Sequence, residues 1–254
     1  MIELKRLSVG YGKKKILTDV SCSFEKGRLT AVIGPNGSGK TTLIKTVANI
    51  IPALDGKIEI DGTDAKLLSV SAHAQKTAYL AQSHSLPDMK VRELVLCGRF
   101  SHLKYPRVYS EKDKKIAEAA MKKMDIADLS DTPLYKLSGG QRQKAYLAMA
   151  LAEESDYILL DEPTTYLDVK HKIAIMRIFK ELASEGKGVV AVLHDLSLAM
   201  EYADEIAVVN NGKLITKGSP DEIFSLNIIE TVFEVSVIRS KNENGFVYHF
   251  SEKI

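Results

Sequence analysis

The chain has 254 residues, 45% hydrophobic and 27% charged, with a net charge of +2. That composition suits a globular protein with a sizeable core and argues against disordered and fibrous classes. The near balance of charge gives no electrostatic case for a nucleic-acid binder.

Two cysteines, Cys22 and Cys97, match neither a metal-ligand spacing nor a disulfide framework, so a reducing compartment is expected. Residues 1–5 lack the apolar core of a signal peptide, and no apolar run approaches the roughly 20 residues of a membrane span. If the protein moves anything across a membrane, another chain supplies the pore.

The first stretch alternates apolar and polar residues in short runs. Leu29–Ile33 is β-rich and mostly apolar, as a strand buried on both faces should be. A glycine-rich turn follows at once, and 41–48 then reads as a helix. From 91 to 152 there is almost no strand signal. Within it, Ser110-Glu111-Lys112-Asp113 has the form of a helix start, with Ser as cap and Asp three residues on. Ile116, Ala120 and Met124 then share a helical face.

Runs 157–160 and 188–193 predict two more buried strands, separated by a helix over 172–183. Strands alternating with helices argue for an α/β fold with a largely parallel core sheet. Ser219-Pro220-Asp221-Glu222 is a second helix start. We expect one domain over 1–254, with a core at 1–90 and 153–225, a helical insert at 91–152 and a motif-free tail at 226–254.

Gly34-Pro35-Asn36-Gly37-Ser38-Gly39-Lys40-Thr41 fits the phosphate-binding pattern G-x-x-x-x-G-K-[ST], between a predicted strand and a predicted helix. The glycines let backbone N–H groups turn inward around phosphate oxygens, and the helix N-terminus adds partial positive charge. Lys40 is expected on the β- and γ-phosphates, the Thr41 hydroxyl on Mg²⁺, and Thr42 beside them. Further on, Leu137-Ser138-Gly139-Gly140-Gln141 opens a helix with Ser138 as a cap. The strand at 157–160 ends in Asp161 and Glu162, at the edge where ligands bind in such sheets.

In this order these segments resemble the ATPases of ABC transporters, over about residues 2 to 225. The resemblance implies a P-loop core with a mostly parallel sheet, an N-terminal antiparallel β subdomain and an inserted α-helical subdomain. It makes 137–141 the family's signature sequence, contacting the ATP of a second copy through Ser138, Gly139, Gly140 and Gln141. It gives Asp161 to Mg²⁺ and Glu162 to the attacking water. Gln82 resembles the glutamine near Mg²⁺ and the lytic water, and His194 the histidine that contacts the γ-phosphate. Asp168, in Pro163-Thr164-Thr165-Tyr166-Leu167-Asp168, resembles a cross-dimer contact, and Tyr11 the aromatic that stacks on adenine. Singly, several of these have plainer readings: Asp168 as a helix cap, His194 as a structural histidine, Gln82 as a solvated amide. No element of the set is missing, which predicts an active enzyme.

One P-loop and one signature imply a head-to-tail homodimer around two MgATP. Leu94-Val95-Leu96-Cys97-Gly98-Arg99-Phe100, the stretch 192–199 and the stretch 141–150 resemble the ATPases of iron-siderophore, haem and cobalamin importers. That resemblance implies integral membrane permease subunits as partners, a substrate-binding protein indirectly, and a place on the cytoplasmic face of the membrane. An exporter ATPase, or an importer for another substrate, is the alternative. A chromosome-type ABC ATPase would need a long coiled-coil insertion, and none is present. Lys13-Lys14-Lys15 is expected to be a solvated turn. The segment from Gln82 to Tyr109 is expected to dock a permease helix through exposed Leu86, Met89 and Val91.

Overall fold

The computed structural model describes all residues except 83–85, 166, 243, 244 and 254. The chain opens with β1 (Ile2–Tyr11), β2 (Lys14–Phe24) and β3 (Leu29–Ile33), then α1 (Lys40–Val47), β4 (Asp55–Ile60) and β5 (Thr63–Asp64). Next come α2 (Val70–Lys76), β6 (Thr77–Leu80) and the helices α3 (Val91–Cys97), α4 (Glu111–Lys123) and α5 (Gly139–Ala152). The core resumes with β7 (Tyr157–Asp161), α6 (Val169–Ser184), β8 (Gly188–Val192), α7 (Leu196–Tyr202), β9 (Glu205–Asn210) and β10 (Lys213–Gly218). The chain ends with α8 (Pro220–Ser225), α9 (Ile228–Phe233), β11 (Val235–Asn242) and β12 (Gly245–Glu252).

The central sheet runs β10-β9-β3-β8-β7-β6. Its strands are parallel except β10, which pairs antiparallel to β9. Alternate side chains of a strand point to opposite faces. Here Leu29, Ala31 and Ile33 enter one apolar cluster, while Val32 enters the other. The second cluster packs α1 and the antiparallel sheet β2-β1-β4-β5 against one face. The first covers the other face with α6 and α7 and continues into α3, α4 and α5. The helical insert therefore shares an apolar core with the sheet.

The helix starts read from sequence form as capping boxes. The Ser110 hydroxyl accepts from the Asp113 amide at 3.3 Å, and Asp113 accepts from the Ser110 amide at 2.9 Å. Ser138 with Gln141, and Ser219 with Glu222 and Pro220 in the first turn, repeat the arrangement. On α4 the buried set is Ala117, Ala120 and Met121, with Met124 just beyond and Ile116 only partly buried. The expected face does meet the core, and it is widened by Ala117 and Met121 because the helix packs on both α3 and α5. The helix expected over 172–183 is longer, because Asp168 caps it at Val169. The tail is not featureless: β11 and β12 pair as a hairpin, β12 packs on α7, and Tyr248 is buried in the large cluster. Among the described residues, no helix is long and apolar enough to cross a membrane.

The docking expectation needs one correction. Leu86 is 49% exposed, but Val91 is fully buried and Met89 is packed partly into the core. The reason is that Val91 opens α3, whose inner face faces the large cluster. Residues 83–85 of that segment lie outside the described residues.

The α4 box gives a stability test. The Ser110 hydroxyl, with Arg99 further back, holds the Asp113 carboxyl down at about 2. A depressed folded pKa stabilises at pH above the unfolded value and loses that contribution as pH falls through the folded one. Ser110→Ala should cost about 1 kcal/mol in urea denaturation near neutral pH. The difference from wild type should be full above about pH 4 and shrink as pH approaches 2.

Candidate nucleotide site

β3 delivers the chain to the sheet edge, where it turns through 34–39 into α1. Glycine is required at two points. A Cβ on Gly34 would lie 2.0 Å from the Val209 carbonyl oxygen. Gly39 caps α1 at φ 102°, a left-handed conformation, with Ile16 and Leu17 of β2 closing over it. No side chain caps α1, so its first N–H groups face the loop.

The Lys40 ammonium donates to the carbonyls of Gly34 and Pro35, both at 2.9 Å, which holds it against the loop. Burial lowers its pKa, opposed by the nearby charges of Glu162 and Asp161. The Ser38 hydroxyl is buried with no hydrogen-bond partner. A buried orphan hydroxyl in a loop that leads into the uncapped start of a helix is what a polyphosphate would satisfy. Thr42 is buried on the first turn of α1, while Asn36 and Gly37 are exposed on the loop.

The Thr41 hydroxyl donates to Asp161 Oδ1 at 2.8 Å, joining α1 to the end of β7. Tyr79 donates to the other Asp161 oxygen at 3.4 Å. Burial raises the Asp161 pKa, and these hydrogen bonds oppose it. Thr41 and Asp161 form an oxygen donor pair suited to a hard cation such as Mg²⁺. Burial and the Asp161 charge likewise raise the Tyr79 pKa. Tyr11 stands half exposed at the end of the β1–β2 hairpin.

Glu162 follows with φ 53°, an uncommon conformation for a glutamate that turns its carboxylate over the strand end. One carboxylate oxygen accepts from Gln82 Nε2 at 2.5 Å and from the Thr165 hydroxyl at 3.2 Å. The other faces His194 Nε2 at 2.5 Å. Lys40, Thr41, Asp161, Glu162, Gln82 and His194 thus converge on one sheet edge. Thr165 and Tyr79 were not singled out from the sequence, because a lone hydroxyl carries no pattern. Tyr166 lies outside the described residues.

The signature is placed elsewhere. Ser138 and Gln141 bond each other at the start of α5. Among the described residues, no hydrogen bond or ion pair joins 138–141 to the P-loop. Gly140 lies toward Leu167, and Gln143 donates to the Pro163 carbonyl at 3.0 Å, so the signature helix abuts the stretch after Glu162. Asp168 is a helix cap here, accepting from the His171 amide at 2.9 Å and facing its ring at 2.8 Å.

A P-loop on a parallel sheet, an acid pair at the end of β7 and a glutamine and histidine on the second acid define a nucleotide-hydrolysing P-loop enzyme. The model of the ABC transporter family matches residues 17–165, and the chain belongs to that family. It is an ABC transporter ATPase. The ferric enterobactin transport ATP-binding protein of Escherichia coli is 37% identical over 231 residues, 90% of this chain and 85% of that one. The hemin import ATP-binding protein of Chelativorans sp. is 37% identical over 243 residues, 92% of this chain and 91% of that one. An inward-facing metal-chelate type ABC transporter superposes with a TM-score of 0.84 at 26% identity, covering 98% of this chain and 96% of that one. A dimeric bacterial ABC cassette superposes with a TM-score of 0.77 at 26% identity, covering 87% and 99%. Cassettes of this family dimerise and pair with a permease.

Because the Ser38 hydroxyl has no partner within the protein, Ser38→Ala should leave the melting temperature almost unchanged. The same change should weaken ATP binding by about threefold to tenfold, read by titration of a fluorescent nucleotide. Lys40→Ala should weaken it further, since a charged contact is lost.

Proposed function

We propose that the chain energises uptake of an iron-siderophore, haem or cobalamin-type compound through a separate permease. In this reading it acts as a head-to-tail homodimer at the cytoplasmic face of the membrane. The names of the relatives support the substrate class: siderophore transport in Bacillus subtilis, ferric enterobactin in Escherichia coli, hemin in Chelativorans sp..

The observation that carries the chemistry is the Glu162 carboxylate held between Gln82 and His194, beside the Thr41–Asp161 pair. Lys40 and the loop N–H groups bind the phosphates, and Ser38 adds a donor. Thr41 and Asp161, with Gln82 near, would hold Mg²⁺, which when bound neutralises phosphate charge. Glu162 accepts a proton from the attacking water and orients it. His194 and Gln82 keep the carboxylate aimed, and His194 Nε2–H is placed to turn to the γ-phosphate. Tyr11 stacks on the adenine.

Ser138, Gly139, Gly140 and Gln141 offer a helix N-terminus to the ATP of the partner subunit, and Asp168 stands at the facing surface. Donors drawn from a second chain make hydrolysis conditional on closure. The separation of signature and P-loop within one chain supports this pairing.

A permease helix docks on a patch wider than the one read from sequence. Leu67 is exposed in the turn before α2 and Val70 at its start, and α2 bonds through Ser71 and Gln75 to the Ser101 carbonyl. Phe100, Tyr105 and Val108 are exposed in the following loop, with Arg107 stacked 4.6 Å from the Phe100 ring. Solvent alone gives little reason for so many exposed apolar side chains in one region.

Glu162→Gln keeps the shape and removes the base. It should bind MgATP with near wild-type affinity, lose about a hundredfold or more of phosphate release, and run as a dimer only with MgATP. Adding Ser138→Arg should abolish that dimer in size-exclusion chromatography. Near-normal turnover by Glu162→Gln would remove Glu162 from its assigned role.

Leu86→Glu should leave basal hydrolysis by the isolated subunit intact and abolish permease-stimulated hydrolysis and transport in reconstituted complexes. Full transport by that variant would move the docking surface elsewhere.

A further inference from the structure

Arg99 lies two residues past the end of α3, after Gly98, and is 4% exposed. An arginine so deeply buried must be fully paired, because its charge cannot be given up. Its Nε donates to Asp113 Oδ1 at 3.0 Å, on the first turn of α4. Its Nη1 donates to the Ala152 carbonyl at 2.8 Å and to Glu154 Oε2 at 2.9 Å. His102, three residues on, bonds the Glu153 carbonyl at 2.8 Å. The stretch 99–102 therefore grips each residue of 152–154, where α5 ends and the chain turns toward β7. Gly98 brings the backbones together: a Cβ there would lie 2.2 Å from the Met149 carbonyl oxygen of α5.

These contacts join two places of functional interest. On one side is the docking patch, which includes Phe100, the residue after Arg99. On the other is α5, whose first turn carries the signature. Elsewhere α3 and α5 meet through the large apolar cluster, whose contacts have less directional preference than an ion pair. The charged clasp fixes one register.

We propose that Arg99 is a positioning residue that couples the docking patch to the signature helix, so that α3 and α5 move as one body; this rests on the docking reading above. A push on Phe100 and its neighbours then displaces Ser138, at the far end of α5, instead of being absorbed between the helices. Lysine cannot substitute fully, since one ammonium cannot span Asp113, Ala152 and Glu154 with the planar geometry of a guanidinium.

The test uses the complex with its permease and the isolated subunit, for Arg99→Met, Arg99→Lys and Gly98→Ala. Each variant should co-purify with the permease and keep basal ATP hydrolysis within about twofold, while permease-stimulated hydrolysis falls about tenfold. Arg99→Lys should lose less than Arg99→Met. Gly98→Ala should uncouple with Arg99 intact, because it pushes the two backbones apart. If Arg99→Met fails to fold with Asp113 unpaired, the other two carry the measurement, and full stimulation in both overturns the proposal.

A second readout is independent of docking. Spin labels on Cys97 and on Gln141→Cys, in a Cys22→Ser background, should give a narrow distance distribution that broadens in Arg99→Lys. An unchanged width overturns the clasp, even if Leu86→Glu shows the docking patch to be correctly placed. Normal co-purification and stimulation in Leu86→Glu, with broadening in Arg99→Lys, overturns the docking reading and keeps the clasp.

Discussion

The hydrogen bond from Thr41 to Asp161 joins the phosphate loop to the end of β7. The site depends on that junction, because the loop and the acids come from strands separated in the sheet by β8. Parallel pairing places both strand ends at one edge, and the short bond fixes their spacing. From there the backbone needs one left-handed residue, Glu162, to swing its carboxylate toward Gln82 after β6 and His194 after β8. Three neighbouring strands contribute one polar group each, and the sheet sets their separation.

The same edge confines charges under conditions they resist. Burial pushes the Lys40 ammonium toward neutrality and the Asp161 carboxyl toward protonation. The charges of Glu162 and Asp161 offset this only in part for the lysine, as the Thr41 hydrogen bond, the Lys45 charge and the Tyr79 hydrogen bond do for the aspartate. A polyanion with a divalent cation answers both, giving the lysine its counter-charge and the aspartate a positive partner. The site is thus less comfortable alone than loaded, which is how binding energy can be turned into a conformational preference.

Much of the α/β core was legible because its signals are local. Leu29–Ile33 is apolar throughout, and the strand is buried on both faces. Ser110, Ser138 and Ser219 announced their helices by capping chemistry. The P-loop was legible because its glycines answer to backbone geometry. Val91 misled because an apolar residue at a loop end looks the same whether it meets solvent or a core; only the packing of α3 decides. Leu67, Val70 and Tyr105 escaped notice for the converse reason, since their exposure depends on distant segments. Thr165 and Tyr79 escaped because a hydroxyl gains meaning only from the carboxylate it meets across the fold. Asp168 is seen here in the plainer of its two readings, as the cap of α6.

The C-terminal hairpin is fastened at both ends. Arg239 is sandwiched between Phe224 and Phe246, with ring centroids 4.6 and 4.2 Å away, and pairs with Asp221 of α8. Tyr248 meets the Phe224 ring edge-on and sinks into the large cluster. β12 lies against α7, and the cap of α7 is Asp195, the residue after His194. The final strand is therefore a brace behind the helix that follows His194. Shortening the chain from this end would strip away the backing of α7 and the Tyr248 packing together, so the tail is a buttress that the fold leans on.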